Sequence, residues 1–185
     1  MSRIIGVTGT NGAGKGEVVR YLVERLGFMH YSVSGFITEE VIRNGLSVDR
    51  DNMIMVGNDL RACFGPAHIV ESLYEKARSD GCDSVIESLR ALAEVRRVRK
   101  LGGLIIGIDA DPAIRYQRIR ARRGAKDAVS FDEFIAQERS EMNPGEVTKQ
   151  DLRGALRAAD VVVVNDGTLE ELHEMLGHAL KKARR

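Results

Sequence analysis

Four short runs of apolar, mostly β-branched residues punctuate the chain: 3–8 (RIIGVT), 83–88 (DSVIES), 103–109 (GLIIGID) and 160–165 (DVVVVN). Each is apolar at consecutive rather than alternate positions, the pattern of strands covered on both faces of a parallel sheet. A weaker fifth run, 28–33 (FMHYSV), follows the first helical segment. Between the runs, apolar residues recur at helical spacing over 15–26, 35–44, about 50–64, 66–79, 91–100, 111–123, 130–142 and 168–183. Strands alternating with helices predict an α/β fold, a doubly wound parallel five-stranded sheet flanked by helices. Ligands of such sheets bind at the carboxyl ends of the strands. The least regular stretch, 143–150, reads as one edge of a flap whose other edge is 124–127.

Composition narrows the picture only a little. No repeat, low-complexity tract or Pro/Ser-rich linker interrupts the 185 residues, so 1–185 reads as a single domain. Apolar residues at 43% and charged residues at 30% fit a globular chain, and a net charge of +1 supplies no field that would recruit nucleic acid or anionic lipid. The basic segments 90–100 and 115–126 hold a single aromatic, Tyr116, too few for a stacking platform, which argues further against nucleic acid. No apolar stretch approaches the roughly 20 residues of a membrane span, and no secretory leader is visible at the start. The two cysteines, Cys63 and Cys82, form no metal-binding pattern and fit a reducing compartment, so a cytoplasmic location is expected. Monomer and homodimer both stay open.

Candidate chemistry begins at residues 9–17, GTNGAGKGE. Gly9, Gly14 and Lys15 fill the spacing of a phosphate-binding loop, with Thr10, Asn11, Gly12 and Ala13 between them. The loop follows a strand and opens a helix with Val18, Leu22 and Leu26 on one face. That arrangement aims backbone N–H groups and the positive helix end at a phosphate, with Lys15 as the charge on it. The bland alternative is a Gly-rich strand–helix turn carrying a surface lysine. Gly16 stands where a Ser or Thr hydroxyl usually helps to hold Mg²⁺. At Gly16 the loop resembles the adenylate-kinase branch of P-loop kinases, which reads Gly-Lys-Gly-Thr. The resemblance implies ATP with Mg²⁺ held largely through waters and phosphate oxygens. Glu17 departs from it: an acid there either repels the nucleotide or turns to solvent and suits the helix dipole, and the second is the expectation.

Further along, 108–124 carries Asp109 at a strand end, Pro112 in a first helical turn, and Arg115, Arg118 and Arg122 on one helical face. Such arginines either stack on a base and grip phosphates or form a solvated basic face. The spelling QRIRARR resembles the entry to the lid of adenylate-kinase-like enzymes. By that resemblance Arg118 lies over the adenine, Arg122 reaches the transferring phosphates, Arg123 is the spare, and 124–150 is the lid. In 159–176, Thr168 and Glu171 have the spacing of a capping box. This segment resembles the C-terminal element of dephospho-CoA kinases and related small P-loop kinases, which implies that Asn165, Asp166 and Gly167 neighbour the base through backbone atoms.

On the acceptor side, Glu87 and Arg90 in 86–100 resemble the Asp-Gly-x-Arg segment of nucleoside monophosphate kinases and of a group of adenylate-kinase-related proteins. Arg90 would bind the acceptor phosphate and Glu87 would orient Mg²⁺-bound water, with Glu in place of Asp and Ser88 in place of Gly. The alternative for Arg90 is an ion pair with Glu94. Residues 34–66 would form the acceptor-binding insertion, with Ser34-Gly35 where those kinases have Thr-Gly. Their arginine a few residues on is missing, leaving Arg43, Arg50 and Arg61, the last two beside aspartates that compete for them. His30 and His68 read as core-edge or cap residues.

Together these features imply a P-loop NTPase fold of nucleotide-kinase type and ATP-dependent phosphoryl transfer to a nucleoside or deoxynucleoside monophosphate, a small-molecule acceptor. Dephospho-CoA kinase is the near alternative, although Ser32-Val33-Ser34 stands where that family has Asp-Ala-Asp. A regulatory nucleotide-binding domain without kinase activity is the alternative of another class.

Overall fold

A computed structural model describes residues 2–122, 129–142 and 150–182, without the side chains of 122, 140, 141 and 182. The expected lid edges at 124–127 and 143–149, Arg123 and the Arg122 side chain therefore lie outside the described residues. The first half runs β1 (Ile4–Gly9), α1 (Lys15–Leu26), β2 (Met29–Ser32), α2 (Val33–Arg43), α3 (Arg50–Phe64) and α4 (His68–Asp80). It continues as β3 (Ser84–Leu89), α5 (Leu92–Lys100), β4 (Leu104–Asp109), α6 (Pro112–Arg122), α7 (Phe131–Met142), α8 (Leu152–Arg157), β5 (Val161–Val164) and α9 (Leu169–Lys182).

The five strands form one parallel sheet in the order β2-β3-β1-β4-β5. Consecutive strand residues point to opposite faces, so the continuous apolar runs feed two cores. On one face Ile86 and Ile105 pack with Val41, Ile69, Val70 and Val95 from α2, α4 and α5. On the other, Val85 and Ile106 pack with Val18 and Leu22 of α1 and with Leu172 and Leu176 of α9. Among the described residues, no helix is long and apolar enough to cross a membrane.

Three local expectations are corrected. The β5 run is not covered on both faces: Val162 and Val164 are exposed, because β5 is an edge strand with Val163 as its one fully buried residue. Leu26, expected on the buried face of α1, is likewise partly exposed at the end where Gly27 (φ 73°) stops the helix. Val33 leaves the β2 run and starts α2, because the Ser32 hydroxyl accepts the Gly35 N–H at 3.1 Å and caps the helix there. The unexpected element is α8, six residues capped by Asp151, whose carboxylate accepts the Gly154 N–H at 2.8 Å. Six residues are too few to show a helical period.

Candidate active site

The carboxyl ends of β1, β2, β3 and β5 open onto a cleft of about 1110 Å³. The phosphate-binding loop forms one wall, with Asn11, Gly12, Gly14, Lys15, Gly16 and Glu17 all facing it. Thr10, Ala13 and Gly9 stand behind that wall. Thr10 is buried and its hydroxyl donates to Asp109 Oδ1 at 2.6 Å, which ties the loop to the end of β4. Gly14 caps α1 with φ 106° and has no side chain to satisfy the helix's first N–H groups. A side chain at that position would also strike Asn165, whose Nδ2 would lie 2.5 Å from the added carbon. Asn165 Nδ2 donates to the Ala13 carbonyl at 2.8 Å, so loop and Asn165 turn pack directly.

Lys15 Nζ curls over its own loop, donating to the Gly9 and Thr10 carbonyls at 3.0 and 2.8 Å. Around Gly16 the space is open, with nothing within 4 Å of an added carbon, so packing is not the reason for glycine there. Glu17 does not simply leave for solvent: it pairs with Arg20 one turn along, at the cleft margin, where both residues line the wall. The pairing neutralises the acid in the phosphate-facing turn.

Across the cleft stand Ser34, Arg50, Arg61, Glu87 and Arg90. Gly35 is not on this wall; its N–H serves the Ser32 cap. Glu87 is mostly buried and fixed at both oxygens. Ser32 Oγ donates to Oε1 at 2.5 Å, Ser88 Oγ donates to Oε2 at 2.6 Å, and His30 Nε2 lies 3.8 Å from Oε1. Burial alone would raise its pKa, but the nearby His30, the hydroxyl hydrogen bonds of Ser32 and Ser88, and the charge of Lys15 pull it down to about 2. Ser88 has φ 65°, a conformation that favours glycine, and β3 bulges there: Val7 pairs with Glu87 but Thr8 with Leu89. This is the position where the resembling kinases carry glycine.

Arg61 is 1% exposed, and its guanidinium meets the fully buried Glu94 rather than the neighbouring Asp59. Glu94 takes the backbone N–H of Arg90 at 2.9 Å together with the Arg61 side chain. On the far side Arg118, Asn165 and Gly167 line the cleft, and Arg118 Nη1 donates to the Asn165 carbonyl at 2.9 Å. Asp166 is turned away, accepting the Asp111 N–H at 2.7 Å at the start of α6. Arg115 faces inward as well. Its Nε donates to the Ala110 carbonyl at 2.8 Å and its Nη atoms grip both oxygens of Glu138 on α7.

Reading the sequence missed His30, Glu94 and Glu138 as contributors. His30 reaches Glu87 because β2 lies beside β3, with Ser32 opposite Glu87 in the ladder. Only the strand order reveals that.

The sequence profile of a family described as an AAA domain matches residues 5–142. The UPF0200 protein of Aeropyrum pernix is 31% identical over 172 residues, covering 91% of this chain and 87% of its own. Among solved structures, shikimate kinase from Bacteroides thetaiotaomicron aligns with TM-score 0.61 and 16% identity over 97% of this chain and 98% of its own. A gluconokinase from Sinorhizobium meliloti aligns with TM-score 0.58 and 18% identity over 98% and 92%. At those identities the structural likeness shows the fold alone, a P-loop fold. With most of its length inside the matched profile and a relative above 30% identity, the chain belongs to the family described as an AAA domain and to the UPF0200 family.

Proposed function

We propose that the protein is an ATP-dependent nucleotide kinase that moves the γ-phosphoryl group of ATP to a nucleoside or deoxynucleoside monophosphate. The observation that carries this reading is the pairing of a phosphate-binding loop with an acceptor wall whose only carboxylate, among the described residues lining that wall, is held firmly ionised. An alcohol acceptor, as the names of the shikimate kinase and gluconokinase imply for those proteins, gains from a carboxylate base. Glu87, at about 2, is a poor base, and Ser32 and Ser34 offer none. A monophosphate oxygen is already ionised and attacks without one.

The residues suit the nucleotide. The uncapped N-terminus of α1 at Gly14 offers N–H groups to phosphate, Lys15 can swing from its loop carbonyls to the β/γ-phosphates, and Arg118 and Asn165 bound the far end where the base would lie. Mg²⁺ would enter with the phosphates, with Glu87 orienting its waters; among the described residues no group of three His, Cys, Asp or Glu could hold a metal by itself. Bound ATP supplies the phosphoryl group and Mg²⁺ neutralises its charge. The chain's share is positioning and charge: Lys15 and Arg118 hold the donor, Arg90 and Arg50 hold the acceptor, and Arg122, by the adenylate-kinase resemblance, stabilises the transferring phosphoryl group. We place this activity in one domain, 1–185, in the cytoplasm, with 34–66 as acceptor insertion and 124–150 as lid.

A coupled ADP-release assay with Mg-ATP tests the reading against ribo- and deoxynucleoside monophosphates, dephospho-CoA, shikimate and gluconate. Strong stimulation by a monophosphate supports it. Stimulation by an alcohol acceptor alone overturns it, and a silent panel with ATP still bound moves the assignment to a regulatory nucleotide-binding domain.

A further inference from the structure

A second cavity lies at the opposite end of the sheet from the cleft, where β1 and β4 begin and α1 and α9 end. Its volume is about 310 Å³, at the lower end of the range of about 300–1,000 Å³ that small-molecule sites occupy. Ile5, Phe28, Leu104 and Leu180 make an apolar floor. Ile5 and Phe28 are almost fully buried, and Leu26 at the edge is partly exposed. Gly177 interrupts the interior of α9, where glycine is an unfavourable helix former. Packing does not demand it: an added carbon would meet only Tyr21 Oη, at 3.6 Å, an ordinary contact. What the glycine does is leave room in the cavity that it lines.

The recess has a polar side. The Tyr21 ring lies 5.0 Å from the His173 ring, and its hydroxyl has no hydrogen-bond partner among the described residues. A tyrosine hydroxyl in a largely apolar recess ordinarily finds a partner, and here a ligand atom can supply one. Charge at the mouth is one-sided. The Arg3 backbone N–H donates to Asp83 Oδ1 at 2.6 Å and its Nε donates to Oδ2 at 2.7 Å, while the guanidinium lies 4.9 Å over the Phe28 ring. That clamp holds a half-exposed arginine at the edge of the apolar floor. Lys181, exposed on the last turn of α9, forms no ion pair among the described residues. Among the described residues that line the cavity, none is acidic.

We propose that this cavity binds a small amphipathic anion, a medium-chain acyl carboxylate. Its tail lies on Ile5, Phe28, Leu104 and Leu180, and its carboxylate is taken at the mouth by Lys181 and Arg3, since charge-assisted hydrogen bonds from such donors are the strong ones. The shape argues for a molecule in solution rather than a lipid surface: the site is concave, and two cations are fewer than the clusters of four to eight that read as anionic-lipid contacts. The cavity is separate from the phosphate-binding cleft, so the proposal holds whichever acceptor the cleft takes.

Octanoate, kept below its micellar range, is the probe, with 1-octanol as the uncharged probe of the same tail. Each is titrated into the full wild-type chain while the backbone amides of Gly102 and Gly177, on opposite walls of the cavity, are followed by NMR. Saturable octanoate shifts at both glycines are expected, with a Kd below about 1 mM. Lys181→Glu, at an exposed position, should weaken octanoate by about fivefold or more and leave octanol within about twofold. Shifts that never saturate, or that lie away from the two glycines, overturn the proposal. So does a Lys181→Glu variant that loses both probes equally or neither. Vesicles of phosphatidylserine and phosphatidylcholine are the last arm: if they bind the chain and octanoate does not, the face is a lipid contact and the site for a dissolved anion is refuted.

Discussion

Ser32 and Glu87 sit opposite each other in the β2–β3 ladder, and the serine hydroxyl donates to the carboxylate at 2.5 Å. With Ser88 on the other oxygen, Glu87 is held by both ends in a site that burial alone would make unfavourable for charge. Orientation has been favoured over proton affinity. The carboxylate can organise cations or their waters, but it gives up the basicity that an alcohol acceptor would need.

Acid titration should expose this. The folded-state pKa of Glu87, about 2, lies below the ordinary 4.5, so its stabilising contribution is complete above about pH 4.5 and is lost as the pH falls towards about 2. The shift corresponds to on the order of 3 kcal/mol. Unfolding free energies measured from about pH 6 downward should therefore fall more steeply for the wild type than for Glu87→Gln, whose difference from wild type isolates this carboxylate from the others. Parallel curves would mean that Glu87 is not held ionised. In activity profiles no limb assignable to Glu87 is expected above about pH 4.

Lys15→Ala should keep the fold and lose the chemistry. In the structure the ammonium makes hydrogen bonds to two carbonyls of its own loop and anchors no distant element through them. Under the proposed function this charge swings to the transferring phosphates, so its removal should lower kcat by about 10²-fold or more, by analogy with removing one donor from an oxyanion site. Far-UV circular dichroism and the thermal midpoint check the fold; full turnover in this variant would refute the role of the loop.

The sequence carried the elements whose signals are local. Continuous apolar runs marked β1, β3 and β4, glycines at fixed spacing marked the loop before α1, and Thr168 with Glu171 marked the start of α9, where each N–H meets the other's side chain. What stayed hidden depends on which strands are neighbours. Ser32 reads as a strand residue until β2 is laid beside β3, whereupon it becomes both cap of α2 and partner of Glu87. Arg61 reads as an acceptor-binding candidate or as the ion-pair partner of a neighbouring aspartate, yet α3 turns it inward to Glu94, 33 positions away. Ser88 looks like a defect in a glycine position; its φ of 65° and its bond to Glu87 show the backbone shape kept and a hydroxyl added.

The same inward turn governs Arg115, and it yields the most demanding stability prediction. Arg115 is 3% exposed, lies 5.4 Å over the Phe134 ring, donates to the Ala110 carbonyl, and grips Glu138 with both Nη atoms. Its Nη1 also lies 3.4 Å from the Asn11 carbonyl, so α7 is tied through one side chain to the phosphate-binding loop. Among the described residues, Glu138→Ala would leave the buried guanidinium with Asp109, 3.6 Å away, as its one remaining charge partner. Removing one member of a buried pair costs about 3–5 kcal/mol, and the lower end is expected here because Asp109 compensates in part. A pair whose arginine is exposed provides the control. Glu40→Ala, which breaks the surface contact with Arg43, should cost under about 1 kcal/mol. Denaturant melts of the two variants give the comparison, and a weaker Mg-ATP affinity in Glu138→Ala, beyond any change in Glu40→Ala, would show that α7 reports to the loop through Arg115. Equal stability losses at the two sites would mean that Arg115 is solvated in solution and that α7 is not anchored through it.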